Sequence, residues 1–460
     1  MKWISTALVV ILVAVVFPLP GAGAQELGAN YNGTVCDLYS GLIVKSGAKW
    51  VRSFVNVPRN YLEFDDSQHV ARGVLEGNIT QTPDADSGRT DILANDAISK
   101  LMQMHNLKVA GQPVKVILSL KLDFKYKWDS KYPASGVPDP GSLASGYWIS
   151  AITKLLEANN LGAYVDVLVL GNEPMFETRT EQADKYATFL SSLIDAVYAE
   201  RQSSGWNYQI FVGALNKAAT HTNDAILKAV MQAATNPKVD GVDLHLHVGS
   251  VGEAASDLGF VRNAFVLQGL NKKIISTEFS LLDLWDAHAG DELKSWGPRN
   301  GYPFDMQLYE WLNRLMRQAA AGTPIGYERF ASYFLEQDWY PRGWFTSFMQ
   351  TFSQYGVDVA TYGLSAPSMV DDAGSSCATH AKLHISEDPS KSSKLWVIDF
   401  VYNGALLGLC SNGFYTPNPL VYPDFATVLQ TPAEESAEMD DCTASNRPNG
   451  GEGLEARFTG

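Results

Sequence analysis

Two glutamates in this sequence stand directly behind apolar runs, where a carboxyl at the end of a strand can meet a reactant. The first lies in VDVLVLGNEPMFET, in which the apolar stretch ends at Leu170 and Gly171-Asn172-Glu173-Pro174 follows at once. The second lies in KKIISTEFSLLD, in which Glu278 closes an apolar run and precedes Phe279. Two carboxyls set roughly 5–5.5 Å apart across one glycosidic bond can divide the work of cleaving it, one donating a proton to the leaving oxygen and one attacking the anomeric carbon. Glu173 suits the acid/base part if its surroundings raise its pKa, with Asn172 beside it to hydrogen-bond a hydroxyl. Glu278 suits the nucleophile's part. Either glutamate alone reads as well as a solvated charge at a strand's end; a shared chemistry requires that the fold bring both to one face.

The elements that must position them alternate short apolar strands with amphipathic helices, the sign of a βα protein. Strands are predicted at 26–31, 49–57, 114–122, 164–170, 208–214, 240–247 and 273–278. Helices are predicted at 36–46, 89–105, 144–160, 181–202, 221–235 and 256–269. Two segments compete for the eighth strand, 330–335 and 357–363. The second is preferred because 343–355 before it reads as helix, which leaves 394–409 as the closing helix. The expected fold is therefore α/β, a (β/α)8 TIM barrel with enlarged loops and a helical insertion between strands 7 and 8. The rival, a doubly wound open sheet, more often has a glycine-rich turn after its first strand, which is absent here. On this count Glu173 follows strand four and Glu278 ends strand seven, both at the catalytic rim of a barrel. The loops 58–88, 124–143 and 283–304 are expected to wall a cleft.

This arrangement resembles clan A of the retaining (β/α)8-barrel glycoside hydrolases, whose members carry Asn-Glu, often Asn-Glu-Pro, after strand four and a second Glu after strand seven. The resemblance covers roughly 26–412 and selects no family within the clan. It implies Glu173 as acid/base and Glu278 as nucleophile. It also implies Arg52, in WVRSF, beneath the nucleophile, where its charge would hold a carboxylate ionised. Alternation along strand six puts Asp243, His245 and His247 on one side. His245 matches the His of the clan's His-x-Tyr, but His247 stands where the Tyr would be, leaving Tyr302 or Tyr362 to fill that space. Asp123 and Asn216, at the ends of strands three and five, are read as contacts for sugar hydroxyls or as loop caps. At least one of Trp128 and Trp285, each shortly after a strand's end, is expected to stack on a sugar face. Trp339 and Trp344 lie in the crossover. The implied substrate is a polysaccharide or oligosaccharide: a β-linked glucan cut internally, β-1,3 slightly ahead of β-1,4. Mannan, galactan and agar-like polymers stay open, as does a non-catalytic carbohydrate-binding barrel.

Other chemistries find little support. Two histidines at a spacing of two would need a third ligand to hold a metal, and none is marked in the sequence; no metal and no cofactor is expected. Neither a phosphate loop nor a G-x-S-x-G elbow occurs. A net charge of −15 without a basic stripe argues against nucleic acid as a partner. Residues 1–24 read as a secretory signal peptide ending in Ala22-Gly23-Ala24. No later apolar run approaches the length of a membrane span, so a secreted or extracytoplasmic chain with no stable membrane anchor is expected. Cys36, Cys377, Cys410 and Cys442 lack metal-ligand spacing and are compatible with disulfides, Cys377–Cys410 being favoured. Asn32 and Asn78 begin glycosylation patterns. The acidic segment 431–460 reads as a flexible tail. Oligomeric state is not specified by any of these features.

Overall fold

The computed structural model describes residues 26–30, 40–58, 62–64, 70–71, 83–84, 89–90, 103–125, 136–364, 400–403 and 416–429. The expected signal peptide, Trp128, all four cysteines, Asn32, Asn78 and the tail 431–460 lie outside the described residues.

Eight parallel strands close into a barrel in the order β1-β8-β7-β6-β5-β4-β3-β2. They are β1 (Glu26–Asn30), β2 (Trp50–Asn56), β3 (Lys115–Lys121), β4 (Val167–Leu170), β5 (Gln209–Leu215), β6 (Gly241–His247), β7 (Lys273–Ser280) and β8 (Val357–Gly363). The strands are apolar on both faces because both are covered, by one another inside and by helices outside. Trp50, Ile117, Val167, Val169, Phe211, Ile275 and Val359 fill the interior as one packed cluster. β8 is the segment that closes the sheet, with Glu26 opposite Val359 on one side and Ile275 opposite Val359 on the other. The rival segment 330–335 lies in a helix.

The α-helices of seven or more residues among the described residues are α1 (Ser40–Ser46), α2 (Leu143–Glu157), α3 (Ala183–Ser204), α4 (Ala225–Ala234), α5 (Val251–Leu267), α6 (Leu308–Ala320), α7 (Tyr327–Leu335), α8 (Trp344–Tyr355) and α9 (Tyr422–Leu429). Three of their starts carry single side-chain caps: Ser142 accepts from Ser145 N–H, Asp224 from Ile226 and Leu227 N–H, and Ser250 from Glu253 N–H. Gly205 and Gly356 end α3 and α8 in the left-handed conformation. The crossover from β7 to β8 contains α6, α7 and α8, held by an aromatic cluster in which Trp311 meets Trp296, Phe330 and Tyr333. One expectation fails after β8. Within the expected helix 394–409, Tyr402–Asn403 is a short strand paired with Thr416–Pro417, and the last helix among the described residues is α9. Here Val401 N–H donates to Gly363 O, and Tyr402 N–H to Leu364 O, so the chain continues the pairing of β8 rather than turning into a helix.

Candidate active site

The C-terminal rim of the barrel gathers charge around Arg52, which is fully buried on β2. Its Nε donates to Ser119 Oγ at 3.1 Å, and its Nη1 donates to Asn30 Oδ1 at 3.1 Å and to Glu278 Oε1 at 2.5 Å. Nη2 donates to Asn172 Oδ1 at 2.6 Å. The planar fork thus ties four strands' ends to one cation. Glu278 also faces His247, whose Nε2 lies 3.3 Å from Oε2. Burial pushes the Glu278 carboxyl up, but the charges of His245 and Arg52 and the His247 contact outweigh it, holding the group well below the ordinary carboxylate range.

Glu278 reaches the interior through a break in the alternation of β7. Ile275 and Thr277 already point inward, so regular pleating would turn Glu278 toward the helices. Instead Asp243 pairs with Ile275 and His245 with Glu278, so three steps on β7 oppose two on β6. Asp243 holds the extra residue: its Oδ1 accepts Thr277 N–H at 2.9 Å and its Oδ2 accepts the Thr277 hydroxyl at 2.5 Å. Thr361 Oγ1 donates to Thr277 O at 2.5 Å from β8. Phe279 then points outward, into Phe345, Phe348, Phe352 and Tyr362.

Glu173 sits after β4 as the residue preceding the short helix Pro174–Glu177. Gly171 makes the turn at φ +131°, and a Cβ there would lie 2.0 Å from Gly213 O, so only glycine fits. Asn216 Nδ2 donates to Glu173 Oε1 at 3.1 Å. Asn216 Oδ1 is buried and has no partner among the described residues. Asn172 is held at both ends of its amide, since Nδ2 donates to Glu177 Oε1 at 3.2 Å while Oδ1 accepts from Arg52. Glu177 is itself buried, accepts Asp123 N–H at 3.4 Å, and lies 3.7 Å from Lys121 Nζ. Burial pushes its carboxyl up to about 7, against the lowering effect of Lys121. For Glu173, burial raises the pKa, while the hydrogen bond and charge of His245 lower it further, giving a net depression.

A single imidazole spans the two catalytic candidates. His245 Nδ1 is 3.5 Å from Glu173 Oε1, and Nε2 is 3.6 Å from Glu278 Oε1. Its Nε2 also meets Thr277 Oγ1 at 3.1 Å. The Thr277 hydroxyl donates to Asp243, and Arg52 Nη2 lies 3.5 Å from the same Nε2, so Thr277 and Arg52 both face this ring nitrogen while Nδ1 faces Glu173. His247 Nδ1 lies 2.7 Å from Ser280 Oγ.

The structure therefore assembles Arg52, Asn172, Glu173, Asn216, His245, His247 and Glu278 in one place, with Asp123 beside them behind Glu177. Two expectations are corrected. Trp285 is only 2% exposed and stacks on Tyr340 at 5.7 Å, a core residue of the crossover rather than an open sugar platform. Tyr362 lies on the outer face of β8 against Phe279, Phe345 and Trp344, and Tyr302 stacks on Trp296; neither stands where the tyrosine would be. His247 occupies that position beside Glu278. The sequence reading also marked no third metal ligand, yet Glu173 brings a ligating atom to within 4.8 Å of those of His245 and His247. Glu177 and Lys121 were missed. The signal for Glu177 was its place four residues after Glu173, one helical turn, and for Lys121 an inward position at the end of β3.

No protein-family model and no curated protein matches the sequence. Solved structures resemble the chain distantly. An endo-1,4-β-D-mannanase from Thermotoga petrophila is 10% identical over 81% of this chain and 98% of its own, with a TM-score of 0.45. A family 39 glycoside hydrolase from Bacteroides cellulosilyticus is 10% identical over 82% of this chain and 64% of its own, TM-score 0.37. An endo-β1,6-glucanase is 13% identical over 67% and 64%, TM-score 0.35. This chain thus spans under two thirds of the length of the last two.

Proposed function

We propose that this protein is a retaining glycoside hydrolase that cuts a β-linked glucan internally, with Glu173 as acid/base and Glu278 as nucleophile. The observation that carries the reading is the unequal treatment of two carboxyls on either side of His245. Glu278 is clamped as an anion by buried Arg52, while Glu173 stands at the more open mouth, its side chain 28% exposed. In the first step a Glu278 oxygen bonds to the anomeric carbon as the bond to the leaving oxygen breaks, and Glu173 delivers its proton to that oxygen. In the second, Glu173 takes a proton from water, whose oxygen bonds to the anomeric carbon and frees Glu278. Glu173 needs its proton for the first step. A bound sugar expels water around it, and desolvation, the leading influence on this group, moves its pKa upward. Asn216 Oδ1, buried beside Glu173, offers an acceptor for a sugar hydroxyl. Export, supported by the leader-like residues 1–24, suits a polymeric substrate.

The test is to incubate the purified protein with β-1,3- and β-1,4-glucans, mannan, galactan and agarose, and to follow product length, linkage and anomeric configuration. Internal cleavage with retained configuration is expected, with E173A and E278A each losing at least about two orders of magnitude in rate. Full hydrolysis by both variants, or inverted products, overturns the assignment. Binding without cleavage by the unaltered protein replaces it with a carbohydrate-binding barrel.

A further inference from the structure

We propose that Glu173, His245 and His247 also form an inhibitory binding site for a divalent cation of the zinc class. The ligating atoms of the three side chains lie within 4.8 Å of one another. Around a tetrahedral zinc with ligands about 2.1 Å away, neighbouring ligand atoms stand about 3.4 Å apart. One edge already has that length, since Glu173 Oε1 and His245 Nδ1 are 3.5 Å apart. The third ligand has only to draw in, and its side chain is 23% exposed, as Glu173 is 28%, so an ion can enter from solvent. Two imidazoles and one carboxylate favour zinc, cobalt or copper over magnesium or calcium, which take oxygen shells.

Proton placement favours the ion as well. Nδ1 of His245 faces Glu173 while Nε2 meets Thr277 Oγ1, so a neutral ring with its hydrogen on Nε2 presents the Nδ1 lone pair to the ion. A hydrogen bond from the far nitrogen to a buried polar group is what orients a metal-bound histidine. His247 reaches the ion through Nε2 once its hydrogen moves to Nδ1, where Ser280 Oγ at 2.7 Å can accept it. The local charge also suits a cation. Beside the carboxylate of Glu173 stands that of Glu278, paired with Arg52. An ion seated here occupies the carboxylate of Glu173 and removes the His247 hydrogen bond from Glu278. It thereby blocks both carboxyls together, and three protein ligands leave a fourth position for water or a sugar hydroxyl.

The experiment uses the full chain, freed of metal by a chelator. Zinc binding is measured by calorimetry and cobalt binding by its visible absorption. One site is expected, with affinity falling at least about tenfold in H247Q and unchanged in H221Q, a histidine on an exposed loop. Zinc-soaked crystals of the unaltered protein should place the anomalous peak between Glu173, His245 and His247, which decides the question even if H247Q fails to fold. No binding, equal affinity in H247Q, or a peak elsewhere overturns the proposal. None of these readouts requires hydrolysis. A protein that binds zinc here but cleaves no glycan therefore sinks the glycosidase reading alone, and an active enzyme that binds no zinc sinks this one alone.

Discussion

Arg52 and Glu177 are buried ionisable groups on opposite sides of Asn172, and they fix its amide between them. Removing Arg52 takes the guanidinium from buried Glu278 and leaves it to the imidazoles of His245 and His247, so R52A is expected to cost about 3–5 kcal/mol in denaturant unfolding. A loss under about 1 kcal/mol would mean that Glu278 finds another partner. Glu177 acts in the opposite sense. In the folded chain it keeps its proton up to about 7, while the ordinary value is 4.5. Between those values the folded state binds more protons than the unfolded one, so stability is greatest on the acid side and falls as pH rises. The full effect is on the order of 3 kcal/mol. Replacing Glu177 with Gln should flatten the decline in melting temperature between about pH 5 and pH 7. An unchanged slope would assign the decline to other groups.

Among the elements, the bulged β7 is the one on which the site depends. Asp243→Asn keeps the volume but loses an acceptor for one of the two Thr277 donors, loosening the bulge that turns Glu278 inward. The expected result is a fall in kcat of roughly two orders of magnitude with KM little changed, because small misplacement of a reacting group is costly. Equal losses in both parameters would point to general unfolding instead. The β4 turn gives a paired test. Gly171→Ala puts a Cβ against the Gly213 carbonyl and should cost more than about 3 kcal/mol. Gly146→Ala, exposed on α2 with open space around it, should add up to about 1 kcal/mol. Urea titrations of the two variants separate the effects. The strands themselves were legible because a barrel buries both their faces: VLVL is apolar without interruption. Glu173 was legible for the same reason, as the first acid after such a run. Glu278 could be located by counting strands, but its inward direction could not be read from a period of two, because a bulge is a departure from that period. Tyr362 was misplaced because alternation gives a residue's face only relative to its own strand, and here the inward partners are Val359 and Thr361. Trp285 was misjudged because an indole shortly after a strand serves a crossover core as readily as a sugar, and only the packing of α7 against it decides. The segment around Tyr402 misled because a predominantly apolar run has no period to separate strand from helix.

For the whole molecule, the acids with displaced pKa values fall into two groups with opposite pH behaviour. Glu278 and Glu173 are depressed, so what they contribute is present above the ordinary carboxylate range and lost as pH falls through it. Asp166, Asp243, Asp257, Asp358 and Glu177 are raised, chiefly by burial, and weaken the fold as pH rises. A net charge of −15 adds self-repulsion in the same direction. Melting temperature should therefore peak in mildly acidic solution, around pH 5. A scan of unfolding from about pH 3 to pH 9 checks it, and a maximum above neutrality would show that the raised group contributes little.

The joining of β1 to β8 also has a meaning in time. Glu26 meets Val359 in that pair, so the first strand emerges from the ribosome long before its partner exists. At roughly 5–20 residues per second the interval is on the order of half a minute. Throughout it the nascent sheet has two open edges, able to accept a strand from a neighbouring chain. Yield in a cell should thus depend on how well that interval is protected, and slowing translation ahead of β8 should increase aggregation without altering the stability of the finished barrel.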